Sequence, residues 1–291
     1  MNTALPLLAP PLLPLRALDT LWIQIMGTRC NIACRHCLVS AGPRSERLAP
    51  MSVDAVRAAI AEGVALGVRE YYFTGGEPFM HADIMALIEE TLRAGPLTIL
   101  TNGLFFDDDT CARLARLFAQ SEHSLDLRVS IDGTTAVEND PVRGKGTFAG
   151  ITAGLRALAA HGLSPVLTLV AHDDTLGTVD ARARFLQFAR DLGFSRPRVK
   201  VLPLLRVGRE PRRTRDYHAE ERVTSLTAED AAALQCGSAR AVTAEGVFPC
   251  PILVLDPYAN LGKHLADALG PVPLRAAACY TCQTEGLSCR T

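Results

Sequence analysis

The sequence predicts an α/β fold on three observations. Short apolar runs alternate with amphipathic stretches about six times between Leu21 and Leu205. Several of those runs are apolar almost throughout, as parallel strands covered on both faces are. The stretches between them carry the three-to-four spacing of helices with one buried side. Strands are expected at 21–26, 69–74, 97–101, 126–131, 164–171 and 198–204. Helices follow from Val53, Val56, Ile60 and Val64 behind the N-cap Ser52, and from Ile84, Leu87, Ile88 and Leu92. Leu114, Leu117 and Phe118 mark a helix over 108–119, with Cys111 on its apolar face as a core thiol. Ile151, Leu155 and Leu158, then Phe185, Leu186, Ala189 and Leu192, mark two more. Right-handed crossovers would make these units an open barrel or a doubly wound sheet, with functional groups at the strands' carboxyl ends.

Four segments follow. Residues 1–20 are an N-terminal extension, apolar but broken by prolines and without a cation before Arg16, which argues against a secretory signal. Residues 21–205 hold the βα units. Residues 206–230 are dense in both charge signs and read as a connector with a solvated face. Residues 231–291 are rich in Gly, Pro and Cys, have little apolar periodicity, and are expected to need a metal site to hold together. With 30 Lys+Arg against 31 Asp+Glu, the net charge of -1 offers no electrostatic reason for a nucleic-acid or membrane partner. No apolar run approaches the ~20 residues of a membrane helix. A cytoplasmic protein is expected, and its nine cysteines then read as metal ligands rather than disulfides.

Cys30, Cys34 and Cys37 stand in a C-x3-C-x2-C pattern directly after the first strand. Three thiolates there can hold three corners of a cubane iron–sulfur cluster, leaving one iron open. Zinc would want a fourth protein ligand, and His36, adjoining Cys37, could join it only with strained geometry. After the second strand comes Gly75-Gly76-Glu77-Pro78, which by itself reads as a tight turn before the helix at Ile84.

Together, in this order and each after a strand, the two motifs resemble the signature of the radical S-adenosylmethionine (SAM) superfamily. The resemblance implies a partial (β/α)6 barrel in which Cys30, Cys34 and Cys37 bind a [4Fe–4S] cluster whose open iron chelates SAM. It implies that Gly75, Gly76, Glu77 and Pro78 meet the methionine amino group. His36 holds a position that is usually aromatic or apolar in the superfamily and lies near the adenine. Thr101-Asn102-Gly103, Val129-Ser130-Ile131-Asp132-Gly133 and the segment from Pro141 to Phe148 resemble the branch containing SPASM and twitch maturases. By that likeness Ser130 and Arg143 contact SAM's carboxylate or ribose, with Asn102 a further contact; the bland reading of Arg143 and Lys145 is a solvated loop.

Cys236, Cys250, Cys279, Cys282 and Cys289 resemble a twitch domain, a shortened SPASM domain holding one auxiliary cluster. This makes the C-terminal segment a small Cys-rich cluster-binding domain. The first four cysteines are the preferred ligands; Cys289 could replace one or remain free, and structural zinc on the same thiolates is the alternative. The expected function is that of a radical SAM oxidoreductase. It would cleave SAM to a 5′-deoxyadenosyl radical, abstract hydrogen from a small molecule or peptide, and use the auxiliary [4Fe–4S] cluster as electron acceptor. An external one-electron reductant such as flavodoxin or ferredoxin is implied. A peptide maturase forming a crosslink or thioether is the enzymatic alternative, and a non-catalytic iron–sulfur or zinc electron-transfer or sensor protein the alternative from another class. Twenty residues before the first strand are too few for a cobalamin-binding or winged-helix domain, so if the substrate is a ribosomal peptide, leader recognition is expected to fall to a separate partner.

Overall fold

In the computed structural model, which describes residues 9–173 and 176–286, one mixed sheet carries both groups of cysteines. In chain order the elements are β1 (Leu12–Leu13), β2 (Thr20–Gln24), α1 (Val53–Ala65), β3 (Glu70–Thr74), α2 (Ile84–Ala94), β4 (Leu97–Thr101), α3 (Asp108–Gln120) and β5 (Leu125–Ser130). Then come α4 (Ala136–Arg143), α5 (Thr147–Ala160), β6 (Val166–Ala171), α6 (Val179–Asp191), β7 (Arg198–Pro203), α7 (Ala228–Ala233), β8 (Ala239–Thr243), β9 (Gly246–Phe248), β10 (Val272–Pro273) and α8 (Ala278–Glu285). The eight-stranded sheet runs β7-β6-β5-β4-β3-β2-β8-β9. Every neighbouring pair is parallel except the β8–β9 hairpin. Among the described residues no ladder joins β7 to β9, so this is an open, partial barrel.

The six expected strands are β2 to β7, and five of the expected helices are α1, α2, α3, α5 and α6. Side chains of period two divide the sheet's faces. Leu127 and Val129 of β5 join Leu114, Leu155 and Phe185 in the core under the helices, whereas Arg128 and Ser130 line a cavity on the opposite face. Helix starts are capped as their sequences suggest: Ala55 N donates to Ser52 Oγ (3.2 Å) and Thr110 N to Asp107 Oδ1 (2.8 Å). Cys111 is fully buried in that core.

Two features departed from the expectation. Residues 136–143 form a helix, α4, with only Asn139 and Arg143 buried, so it carries no apolar stripe for periodicity to detect. Its exit is held by the Asp140 carboxylate, which accepts from Gly146 N (2.6 Å) and Phe148 N (2.9 Å). The C-terminal segment, whose sequence shows little apolar periodicity, extends the main sheet. All five residues of β8 are buried, and β8 pairs with β2 from Thr20↔Ala239 to Ile23↔Val242. The N-terminal extension also reaches it, through Leu12↔Pro273 and Leu13↔Val272. No helix among the described residues is long and apolar enough to cross a membrane.

Candidate active site

A cavity of about 240 Å³ opens at the carboxyl ends of the barrel strands. The loop after β2 lends it Cys30, Cys34, His36 and Cys37; the turn after β3 lends Gly75 and Gly76; Asn102, Ser130 and Arg143 complete its polar wall. Nine of the residues singled out in the sequence are therefore brought together.

The glycines are there because nothing larger fits. Gly75 has φ +131°, and a Cβ on Gly76 would lie 1.7 Å from the Arg29 carbonyl oxygen. Backbone of this turn thus packs directly on the cysteine loop, and Glu77 N donates to that same carbonyl (2.9 Å).

Glu77 is placed differently from what the resemblance implied for it. Its side chain is fully buried, and neither it nor Pro78 is among the described residues lining the cavity. Glu77 Oε1 accepts from Thr101 Oγ1 (2.7 Å) and Phe79 N (3.1 Å), and Oε2 from Asn102 N (2.7 Å). The carboxylate is a staple between the turns after β3 and β4. Burial raises it to about 7 against those three donors. Asn102, so held, sends its Nδ2 toward Cys30 Sγ (3.7 Å) and Asn31 Oδ1 (2.7 Å).

Asp132, in the Val129–Gly133 segment, is a site residue that its sequence context does not reveal, and it organises the charged wall. It is buried, with Oδ2 2.7 Å from His36 Nε2 and 2.7 Å from Arg143 Nε, while Oδ1 accepts from Val170 N (3.1 Å). Burial alone would raise its carboxyl, but Arg143 and His36 outweigh that and hold it below the usual carboxylate range. Arg143 is 5% exposed, which removes the solvated-loop reading for it.

Sequence reasoning also missed Arg209, in the supposed solvated connector. Arg209 Nε donates to the Cys34 carbonyl (2.8 Å), Nη2 to the Ala41 carbonyl, and its backbone N to the Cys37 carbonyl (3.1 Å). Gly208, at φ +65°, lets this strap lie flat on the cysteine loop. An Arg in a charge-dense stretch gives no signal of such a contact.

The second group gathers in a smaller cavity of about 30 Å³ lined by Cys236, Cys250, Cys279 and Cys282. Cys289 lies outside the described residues. Burial pushes the Cys279 thiol up to about 12, and burial together with the three neighbouring thiols raises Cys250 well above its ordinary value. Beneath them Arg240 is fully buried. It donates to the carbonyls of Ala268 (2.6 Å), Cys236 (2.8 Å), Ala239 (2.7 Å) and Gly270 (2.9 Å). None of those acceptors carries a full charge; burial lowers Arg240, and thiolates at Cys236 and Cys250 would favour its cation.

Thiols are the donors an iron–sulfur cluster takes, and each group supplies them: three at the first site and four at the second. In each group the thiols border a cavity. A cluster's anionic sulfurs would find Arg143 and Arg209 at the first site, where both oppose the burial that raises the Cys34 thiol, and Arg240 at the second.

A family model for the radical SAM superfamily matches residues 25–186. The chain belongs to the radical SAM superfamily. Among curated relatives, mycofactocin maturase MftC of Mycobacterium ulcerans is 33% identical over 153 residues, 52% of this chain and 40% of that protein. GTP 3′,8-cyclase 2 of Mycobacterium bovis is 30% identical over 185 residues, 60% of this chain and 48% of that protein. The chain thus matches less than half the length of each. Solved structures share the fold of this radical SAM chain at low identity. Streptococcus suis SuiB bound to precursor peptide SuiA superposes with a TM-score of 0.66 at 15% identity, covering 90% of this chain and 65% of that one. Native anSMEcpe with bound AdoMet gives 0.60 at 15% identity, covering 84% and 77%.

Proposed function

We propose that this radical SAM protein is an oxidoreductase acting on a peptide, with a twitch-like auxiliary cluster in residues 231–291. The observation that carries this reading is a shared wall. Ile252 lines both cavities, Pro251 lines the larger one and Cys250 the smaller, so the run from Cys250 to Ile252 borders both the auxiliary cysteines and the barrel cavity. A peptide is favoured over a small molecule because MftC is a maturase and the SuiB structure holds a precursor peptide.

Cys30, Cys34 and Cys37 would hold the first [4Fe–4S] cluster, and Gly75, Gly76, Ser130 and Arg143 would bind SAM. When bound and reduced, these groups supply a 5′-deoxyadenosyl radical able to abstract hydrogen. Cys236, Cys250, Cys279 and Cys282 would hold a redox centre suited to taking the second electron of a net oxidation. The chain's own residues do the positioning. The Gly75-Gly76 backbone, stripped of side chains, permits close approach of an amino acid moiety, and the Arg143 fork suits a carboxylate. Asp132 aims that fork and the His36 ring. The apolar walls, among them Trp22, Leu38, Val39, Leu100, Leu202 and Ile252, keep water from a reactive radical. Flavodoxin or ferredoxin in a reducing cytoplasm would supply the electron.

The test is anaerobic reconstitution with iron and sulfide, followed by incubation with SAM and dithionite. Release of 5′-deoxyadenosine and methionine is expected; binding of iron without SAM cleavage would leave a non-catalytic iron–sulfur protein.

A further inference from the structure

Gln235 is a polar group that the chemistry of neither cavity has so far used. It immediately precedes Cys236, lines the cavity of the four C-terminal cysteines, and is 8% exposed. Its backbone carbonyl is engaged, accepting from Ser238 N (2.9 Å). Its side-chain amide is not: both Nε2 and Oε1 are buried with no hydrogen-bond partner among the described residues. The other described residues lining that cavity are apolar or carry sulfur, including Leu234, Leu253, Val272 and Leu274. A primary amide buried without a partner costs free energy that a leucine of similar size would avoid. Its Nε2, the donor half of that amide, calls for an occupant that accepts hydrogen bonds.

We infer that the Gln235 amide N–H donates to a sulfur of the auxiliary cluster and raises its reduction potential, an inference that rests on the auxiliary cluster of the proposed function. Four thiols already supply the four corners of a cubane, so the amide is not needed as a ligand. Its natural partner is a sulfide or cysteine sulfur, all of which carry negative charge. A donor to sulfur stabilises the reduced, more negative state more than the oxidised one, which moves the potential upward. Gln235 is therefore a positioning and tuning residue, set to make the cluster a better electron acceptor.

The experiment uses full-length protein carrying Cys30→Ala, Cys34→Ala and Cys37→Ala, so that only the C-terminal cluster remains. Iron content, the EPR signal of the reduced cluster and its potentiometric midpoint are measured with and without changes at Gln235. The parent is expected to hold about four irons per chain. Gln235→Leu should keep them with a midpoint shifted to more negative potential. Gln235→Glu, which replaces the donor by an anion, should shift it further in the same direction, and Gln235→Asn should shift it less than Gln235→Leu. A parent without iron would overturn the auxiliary cluster, and this inference with it. A loaded Gln235→Leu with an unchanged midpoint would overturn the inference alone. If Gln235→Leu loses the cluster, retention in Gln235→Asn supports the amide contact, and loss in both overturns it.

Discussion

The two cysteine sites sit on one sheet yet are built by different means. Cys30, Cys34 and Cys37 come from a single loop after β2, within eight residues, and the chain holds them locally. The Ala41 N–H donates to Cys37 Sγ (3.2 Å), and Arg209 and the Gly76 turn then press on the loop from outside. Cys236 and Cys250 flank the β8–β9 hairpin, while Cys279 and Cys282 arrive on α8 some thirty residues later. There nothing local defines the site; β2, β8 and the Arg240 carbonyl network do. The first site is a loop that needs straps, the second a cavity that needs a scaffold. A site of the first kind should lose function before it loses stability, and one of the second kind should lose both.

The most severe way to separate them is the triple change Cys30→Ala, Cys34→Ala and Cys37→Ala. It should abolish 5′-deoxyadenosine formation while iron falls from about eight to about four per chain, by chromatographic and colorimetric assay. Next is Arg240→Met, which leaves four carbonyls without their donor. A loss of about 3–5 kcal/mol is expected in urea unfolding of the apoprotein, together with loss of the C-terminal iron. SAM binding that survives in this variant would sharpen the contrast; unchanged stability would break it.

Glu77 offers a pH test of the first site's straps. Its folded-state pKa of about 7 lies above the ordinary 4.5, so between those values the folded protein binds more protons than the unfolded chain. This group's contribution therefore makes apoprotein stability fall as pH rises from about 4.5 to 7, by up to about 3 kcal/mol. Glu77→Gln, lacking the ionisation, should show a flatter profile in urea melts across that range. Asp132 acts with the opposite sign. Its contribution is present above about pH 4 and is lost as pH falls through its depressed folded value.

Gly76→Ala should cost about 2 kcal/mol, because the Arg29 carbonyl must move to admit a Cβ. The same displacement should weaken SAM binding in calorimetry of the reconstituted protein. The smallest expected effect is that of Asp132→Asn, which keeps the shape but removes the charge between His36 and Arg143. SAM affinity should fall about tenfold with the fold intact, read by calorimetry and circular dichroism.

Some of this could be read directly from residue order. Strands and helices of the βα units announce themselves by period, and the C-x3-C-x2-C and Gly-Gly-Glu-Pro segments are contiguous, so their chemistry is written where it acts. Helix α4 escaped because only two of its residues are buried. The β8–β9 hairpin had a signal that could have found it: apolar runs either side of Ala244-Glu245, with Gly246 at φ +137° after the turn. Asp132, Arg209, Gln235 and Arg240 had none, being single polar residues whose surroundings are set by segments far along the chain, such as His36 for Asp132, Cys34 for Arg209 and Ala268 for Arg240.

By itself the sequence determined the βα frame, the superfamily and the loop for the first cluster, because each depends on neighbours within about one turn or strand. The tertiary structure alone decided that Glu77 faces Thr101 and Asn102 rather than the cavity, that Arg209 straps the cysteine loop, and that Ile252 lines both cavities. Those outcomes depend on burial. Whether a charged or polar side chain is solvated, paired or left facing a void follows from what the folded chain places against it, and that is not a property of its neighbours in sequence.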